Sequence, residues 1–284
     1  MIDLQALQHY FPATVQRRTD LAAYMVKEYL QCQILEYLSH TPYMENLSFI
    51  GGTNLRLIKR IDRFSEDLDF DCKNLSFEAF QAMTDLVVKH LLDQGYNVEP
   101  KQQEHEGLHA YRRSLYFPQL LFSLNLSGYR NAKFLIKLEM QDQGCAYPVQ
   151  RAFIQSCGFH FPVPVPPDDI LCAMKISALL SRTKGRDLYD AQFLLGQTKP
   201  NYDYLTAKHG ITSESELKHA ILERLKQVNL SLKQHDCEHL LFDKQKSSTI
   251  LYFPNFIQSY LIAFVLTSTP CPAERLMLTV PPTS

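Results

Sequence analysis

Across residues 19–38 apolar side chains recur every third or fourth position: Leu21, Tyr24, Met25, Tyr29, Cys32, Leu35, Leu38. That spacing predicts an amphipathic helix capped by Thr19 or Asp20. Pro42 closes the segment, and Leu47 to Ile50 predict a short strand running into Gly51-Gly52. Residues 53–61 predict a helix. From Glu66 to Asp71 the period drops to two, the pattern of a strand with one apolar face. Residues 76–94 return to helical spacing, with Ser76 as N-cap and Gly95 as stop. Strand-like runs follow at 96–100, 114–117, 120–126, 133–141 and 150–154.

The stretch FPVPVPPDD (161–169) changes the character of the chain, because its prolines exclude regular helix and central strand. Asp168 or Asp169 is expected to cap a helix over 170–182. Further helices are predicted at 187–195, 202–209, 213–228 and 255–266, with an irregular, proline-punctuated tail beyond. No internal repeat is evident. The pattern predicts an α/β (α+β) chain: a mixed sheet with flanking helices in residues 1–165, then a helical unit in 166–284.

Composition narrows the function. With 29 basic and 30 acidic residues there is no global field to draw the protein onto nucleic acid, so a polyanion has to be gripped locally. Seven scattered cysteines without a Cys-x-x-Cys pair point to reduced thiols. The N-terminus lacks a signal peptide's pattern, and the longest apolar run, 260–266, is far short of the ~18 residues of a membrane span. A soluble, cytoplasmic protein without membrane association is expected.

The candidate chemistry sits in RFSEDLDFD (63–71). On a strand Asp67, Asp69 and Asp71 share one face, Leu68 and Phe70 the other, and Glu66 faces away from the aspartates. Carboxylates about 7 Å apart along a strand suit a hard divalent cation, Mg²⁺ or Mn²⁺. They also suit a plain solvated face. The preceding Gly51-Gly52-Thr53, at a strand-to-helix turn, offers backbone N–H groups to a phosphate. Between the two, Arg56, Lys59, Arg60 and Arg63 fall at i, i+3, i+4 and i+7, one basic stripe suited to a triphosphate or an RNA backbone, or simply to solvent. In FLIKLEMQ (134–141) Lys137 and Glu139 share a face. If that strand neighbours the aspartates, Glu139 becomes a third metal ligand or a base, with Lys137 near the nucleotide. Otherwise the two form a cross-strand ion pair.

Gly51-Gly52-Thr53-x-Leu55-Arg56-Leu57 followed by Arg63-Phe64-Ser65-Glu66-Asp67-Leu68-Asp69-Phe70 resembles the AbiEii/AbiGii family of nucleotidyltransferase toxins, a branch of the polymerase-β-like superfamily. A second block, LCAMKISALLSRTKGRDLYDAQFLL (171–195), is similar to the family's later motifs through Lys175, Arg182, Lys184, Arg186, Asp187, Tyr189 and Asp190. Thr53 stands where many superfamily members have Ser. The resemblance covers roughly residues 49–195 and implies the nucleotidyltransferase fold. It implies that Asp67 and Asp69 hold the metal, that Ser65 lies beside the phosphates, and that Lys175 and Asp187 complete the active site from the helical half. It further implies transfer of NMP from an NTP to RNA, the 3′ end of tRNA, which blocks translation. A cognate antitoxin is the implied partner. Transfer to a protein hydroxyl, γ-phosphate kinase activity and non-catalytic nucleotide or RNA binding remain the alternatives. His235-Asp-Cys237-Glu-His239 and His105-x-x-x-His109 carry metal-binding residue types but no complete ligand frame, and are read as surface.

Overall fold

The computed structural model describes residues 2–102 and 110–267. His105, His109, Cys271 and the tail from 268 onward therefore lie outside the described residues. Two short helices, α1 (Leu4–Gln8) and α2 (Ala13–Gln16), lead through a 3₁₀ turn at Thr19–Leu21 into α3 (Ala22–Ser39). Strand β1 (Leu47–Ile50) feeds α4 (Gly51–Leu57), and β2 (Leu68–Cys72) follows. Helix α5 (Phe77–Asp93) starts at the Ser76 hydroxyl, which accepts the Ala79 N–H at 3.2 Å, and precedes β3 (Glu99–Gln102), β4 (Ala110–Tyr116), α6 (Leu120–Ser123) and β5 (Leu135–Gln141).

These five strands form one mixed sheet in the order β1-β2-β5-β4-β3. Only β2 and β5 pair in parallel; the other neighbours are antiparallel. The register sorts side chains by face. One cross-strand row, Phe49, Phe70, Met140 and Tyr111, is apolar, and the Tyr111 ring packs on Phe77 and Phe80 of α5. The next row, Ile50, Asp69, Glu139 and Arg112, belongs to the opposite face.

The proline-rich stretch is itself a strand. Strands β6 (Gln150–Ser156) and β7 (Phe159–Val165) form a separate antiparallel ribbon, with Arg151 opposite Pro164 and Phe153 opposite Pro162. A two-stranded ribbon has only edges, so prolines interrupt no central ladder. The remaining chain is helical: α7 (Asp168–Ser181), α8 (Gly185–Leu195), α9 (Tyr202–His209), α10 (Glu214–Leu225), α11 (Leu230–Glu238), a 3₁₀ segment at Lys244–Tyr252 and α12 (Phe253–Thr267). Two cores result. One gathers α3, α5, the sheet and the ribbon; the other gathers α7–α12 and draws in Ile50, Leu55 and Ile61 from the first half.

Four sequence expectations change. Residues 120–126 form the single turn α6 rather than a strand, bracketed by Gln119 and Asn125 at positive φ; a short apolar run without alternation suits either state. Asp168 and Asp169 occupy the first turn of α7, with Pro167 at the cap. The HDCEH stretch lies mainly on α11, with Cys237 buried. Most consequentially, α4 ends at Leu57 and Arg60 turns to φ 63°, so the basic stripe does not exist. Arg56 forks onto the buried Glu28 (2.7 and 3.1 Å), Lys59 pairs with Asp168, and Arg60 donates to the Gln155 carbonyl. These three hold α4 to its neighbours.

Because Glu28 is only 1% exposed, removing its partner leaves a buried charge. Arg56→Ala is expected to lower unfolding stability by about 3 kcal/mol in denaturant titration.

Candidate active site

The site begins with the sheet row just described. Asp69 on β2 stands directly opposite Glu139 on parallel β5, and Arg112 on β4 stands opposite Glu139 in turn. Arg112 forks both Glu139 oxygens at 2.7 and 2.9 Å. Glu139 thus neighbours the aspartates, but its charge is already answered by an arginine rather than by Lys137. The Lys137 ammonium lies 3.8 Å from Asp67 instead. Burial pushes the Asp69 carboxyl up to about 6, and the nearby charges of Asp67 and Glu139 add to the rise. Asp67 is raised too, by burial first.

The double glycine is explained by this carboxylate. Gly51 has φ 81°, and a Cβ there would fall 2.1 Å from Asp69 Oδ2. A Cβ on Gly52 would meet the Ser65 hydroxyl at 2.6 Å and an Arg63 guanidinium nitrogen at 3.0 Å. Only glycine lets the β1–α4 turn close onto Asp69 and Ser65. Thr53 is buried and donates to the Asp67 carbonyl, so it fixes the loop ahead of β2.

Glu66 and Asp67 precede β2, so strand alternation does not govern them. Glu66 does not turn away from the site. It lies 3.7 Å from Lys27 and 3.4 Å from Arg186, which faces the same recess as Asp67. Asp71 is buried and spent on structure, accepting the Gln143 N–H at 2.8 Å and the Tyr147 hydroxyl.

The helical wall comes from α7 and α8. Lys175 is bound at 2.9 Å not by Asp187 but by Asp190, a fully buried carboxylate. Arg63, itself 1% exposed, forks the same Asp190 at 2.7 and 2.6 Å. Asp187 instead receives Arg182 at 3.0 and 2.9 Å and the Lys184 N–H at 2.9 Å. Burial works to raise the Asp187 carboxyl, but these bonds to Arg182 and the backbone hold it below the usual carboxylate range. Asp187 therefore sets Arg182, and Asp190 sets Lys175. Asp190 and Arg112 carry no role in the sequence reading. The i, i+3 spacing puts Asp187 and Asp190 on one helix face without saying which of them Lys175 takes; nothing local signals that Arg112 meets Glu139.

A cleft of about 530 Å³ separates the two walls, lined at one end by Gly51, Asp69, Glu139, Lys175 and Arg182. Beside it a recess of about 30 Å³ is lined by Gly52, Arg63, Ser65, Asp67 and Arg186, again with Asp69 and Lys175. A larger open hollow of about 1000 Å³ lies elsewhere, where Arg18, Asp20, Asp62 and Lys246 neutralise one another. Of the expected site residues, Gly51, Gly52, Arg63, Ser65, Asp67, Asp69, Glu139 and Lys175 come together, with Lys137 at the edge beside Asp67. Arg56 does not, and Asp187 is represented through Arg182. Among the described residues no three His, Cys, Asp or Glu side chains close into a metal-holding cluster. Arg112 binds Glu139, the third carboxylate of the expected triad; Asp67 and Asp69 are the other two.

The model of a known family, the nucleotidyl transferase AbiEii toxin of type IV toxin–antitoxin systems, matches residues 33–250. The chain belongs to this family. It is a nucleotidyltransferase of the toxin–antitoxin kind. Solved structures agree on the fold. A protein solved as a candidate nucleotidyltransferase from Helicobacter pylori has a TM-score of 0.56 at 20% identity, over 86% of this chain and 97% of that one. JHP933 from the same organism gives 0.54 at 20%, covering 86% and 94%. MenT4, a nucleotidyltransferase toxin from Mycobacterium tuberculosis, gives 0.54 at 16%, covering 92% and 93%. No curated protein matches the sequence. Among the described residues, no helix of this AbiEii nucleotidyltransferase is long and apolar enough to cross a membrane.

The raised Asp69 carboxyl makes a stability prediction. Its folded value of about 6 exceeds the ordinary ~3.9, so its cost is full above about pH 6 and absent below about pH 4. In metal-free buffer Asp69→Asn should stabilise the protein by up to ~2 kcal/mol at pH 7.5, a Tm rise of several degrees in calorimetry, and by nothing at pH 4. Gly51→Ala should displace the Asp69 carboxylate and cut nucleotidyl transfer by about 100-fold, with the fold retained by circular dichroism.

Proposed function

We propose that the protein transfers a nucleoside monophosphate from an NTP to RNA, at the 3′ end of tRNA, with Mg²⁺ or Mn²⁺, and that the extended end can no longer be aminoacylated, which stops translation. The observation that carries this reading is the confrontation of Asp67 and Asp69 with Lys175, Arg182 and Arg186 across one cleft. Opposed acidic and cationic walls are what a metal–triphosphate needs. The acceptor and its consequence for translation rest on the sequence resemblance alone.

The aspartates fit a hard cation. They are oxygen donors whose charge is disfavoured by burial first and, at Asp69, by the neighbouring Asp67 and Glu139, and a bound cation would relieve that cost. When bound, the ion would neutralise charge developing on the leaving pyrophosphate. The chain's own residues do the rest. Lys175 offers a point charge whose position is set by Asp190. Arg182, oriented by Asp187, and Arg186, oriented by Glu66, present forks to phosphate oxygens. Ser65 lies against Gly52 in the small recess, where a terminal phosphate would meet both. A role for Glu139 as base for the acceptor hydroxyl requires the Arg112 fork to open. In this reading residues 1–165 and 166–284 are two units that meet at the cleft, and a cognate antitoxin is the protein partner.

Incubating the protein with Mg²⁺, each α-labelled NTP in turn, and total tRNA tests the reading directly. Label on tRNA is expected, reduced at least ~1,000-fold in Asp67→Ala. Label on protein instead would replace the acceptor, label arriving only from the γ-position would make the enzyme a kinase, and no transfer from any NTP would overturn the proposal.

A further inference from the structure

Asp69 and Glu139 share the lining of the cleft with Gln141, Gln143, Met174, Tyr204 and Lys208. The lining is of two kinds. The first is a set of charges suited to phosphates and metal. The second groups neutral hydrogen-bonding side chains with the apolar Met174, and the Lys208 ammonium lies 6.0 Å over the Tyr204 ring; such a makeup can seat a flat heterocycle. Gln143 stands out there because both ends of the residue are fixed. Its backbone N–H is held at 2.8 Å by Asp71, whose other oxygen takes the Tyr147 hydroxyl. Its side-chain Oε1 accepts the Tyr204 hydroxyl at 3.1 Å.

Tyr204 is itself rigid. It is 1% exposed, and its N–H is capped by Asn201, whose side-chain amide bonds Asp169 of α7. With its oxygen turned to Tyr204, the amide directs its NH₂ group, two donors, the other way. That NH₂ makes no hydrogen bond among the described residues, and Gln143 faces the cleft.

We propose that Gln143 is the residue that reads the nucleobase of the incoming NTP, donating its Tyr204-oriented amide N–H to a base carbonyl. The inference rests on the nucleotide site proposed above. A fixed donor favours bases that carry a carbonyl (cytosine, uracil, guanine) over adenine, which has none. Asp71 and Tyr204 act as positioning residues, since each touches Gln143 and neither is assigned a contact to the base.

The test measures kcat/KM for the four NTPs, and their equilibrium binding, in the parent, Gln143→Ala, Gln143→Glu and Tyr204→Phe, with Tm recorded for each. The parent is expected to favour its best carbonyl-bearing NTP over ATP by about tenfold or more, mainly through KM. Gln143→Ala and Tyr204→Phe should flatten the ranking. Gln143→Glu, which replaces a donor with an acceptor, should shift it toward bases with an exocyclic amine. If the Glu variant fails to fold beside Asp71, the other two carry the test. A parent that prefers ATP, or a ranking unchanged in folded Gln143→Ala and Tyr204→Phe, would overturn the inference while leaving the proposed reaction intact. Should no NTP be transferred while binding still ranks the bases and the variants alter that rank, the reaction falls and the base reading stands. Absence of binding by every NTP removes both.

Discussion

The Asp190 carboxylate is the contact on which the two halves of the molecule depend. It is fully buried and accepts Arg63 from the segment ahead of β2 and Lys175 from α7. One negative charge between two cations, all withdrawn from water, is costly to assemble and more costly to leave incomplete. The arrangement fixes the distance between the sheet and the helical wall. It also presents Lys175 to the cleft at a set height opposite Asp69. Asp187, one turn earlier on α8, repeats the device with Arg182. Lys175, Arg182 and Arg186 are each held by an acid other than the two aspartates, so these side chains are already ordered when a charged ligand arrives.

The carboxylate end shows the opposite economy. Asp69 and Asp67 are held in surroundings that disfavour their charge, and Gly51 and Gly52 let the backbone press against them. Stability is given up there, a common feature of functional constellations.

Much of this was legible from residue order alone. Period-two alternation found β2 and β5, period 3.6 found α3, α5 and α7, and the Gly-Gly, Asp-x-Asp and Lys175 motifs located both walls. What failed were inferences that extended a local period past a break in the backbone. The Arg56–Arg63 stripe assumed a helix that ends at Leu57, and Leu120–Ser123 shows that an apolar run without alternation does not choose its state. Pairings across long stretches of chain were equally out of reach. Nothing in the order of residues says that Lys175 takes Asp190 rather than Asp187, or that Arg112 answers Glu139, because these depend on register and on helix rotation set by the two cores.

The parallel pairing of β2 with β5 carries a consequence for when the site comes into being. Its carboxylates stand in one row only after the intervening hairpin elements have returned the chain alongside β2, and Arg63 finds Asp190 only 127 positions later. Such long-range closures are slow and come late in folding. During synthesis, which proceeds from the N-terminus, the aspartates emerge well before the helix that completes them. On the ribosome the cleft is therefore complete only after α8 has left the exit tunnel and docked.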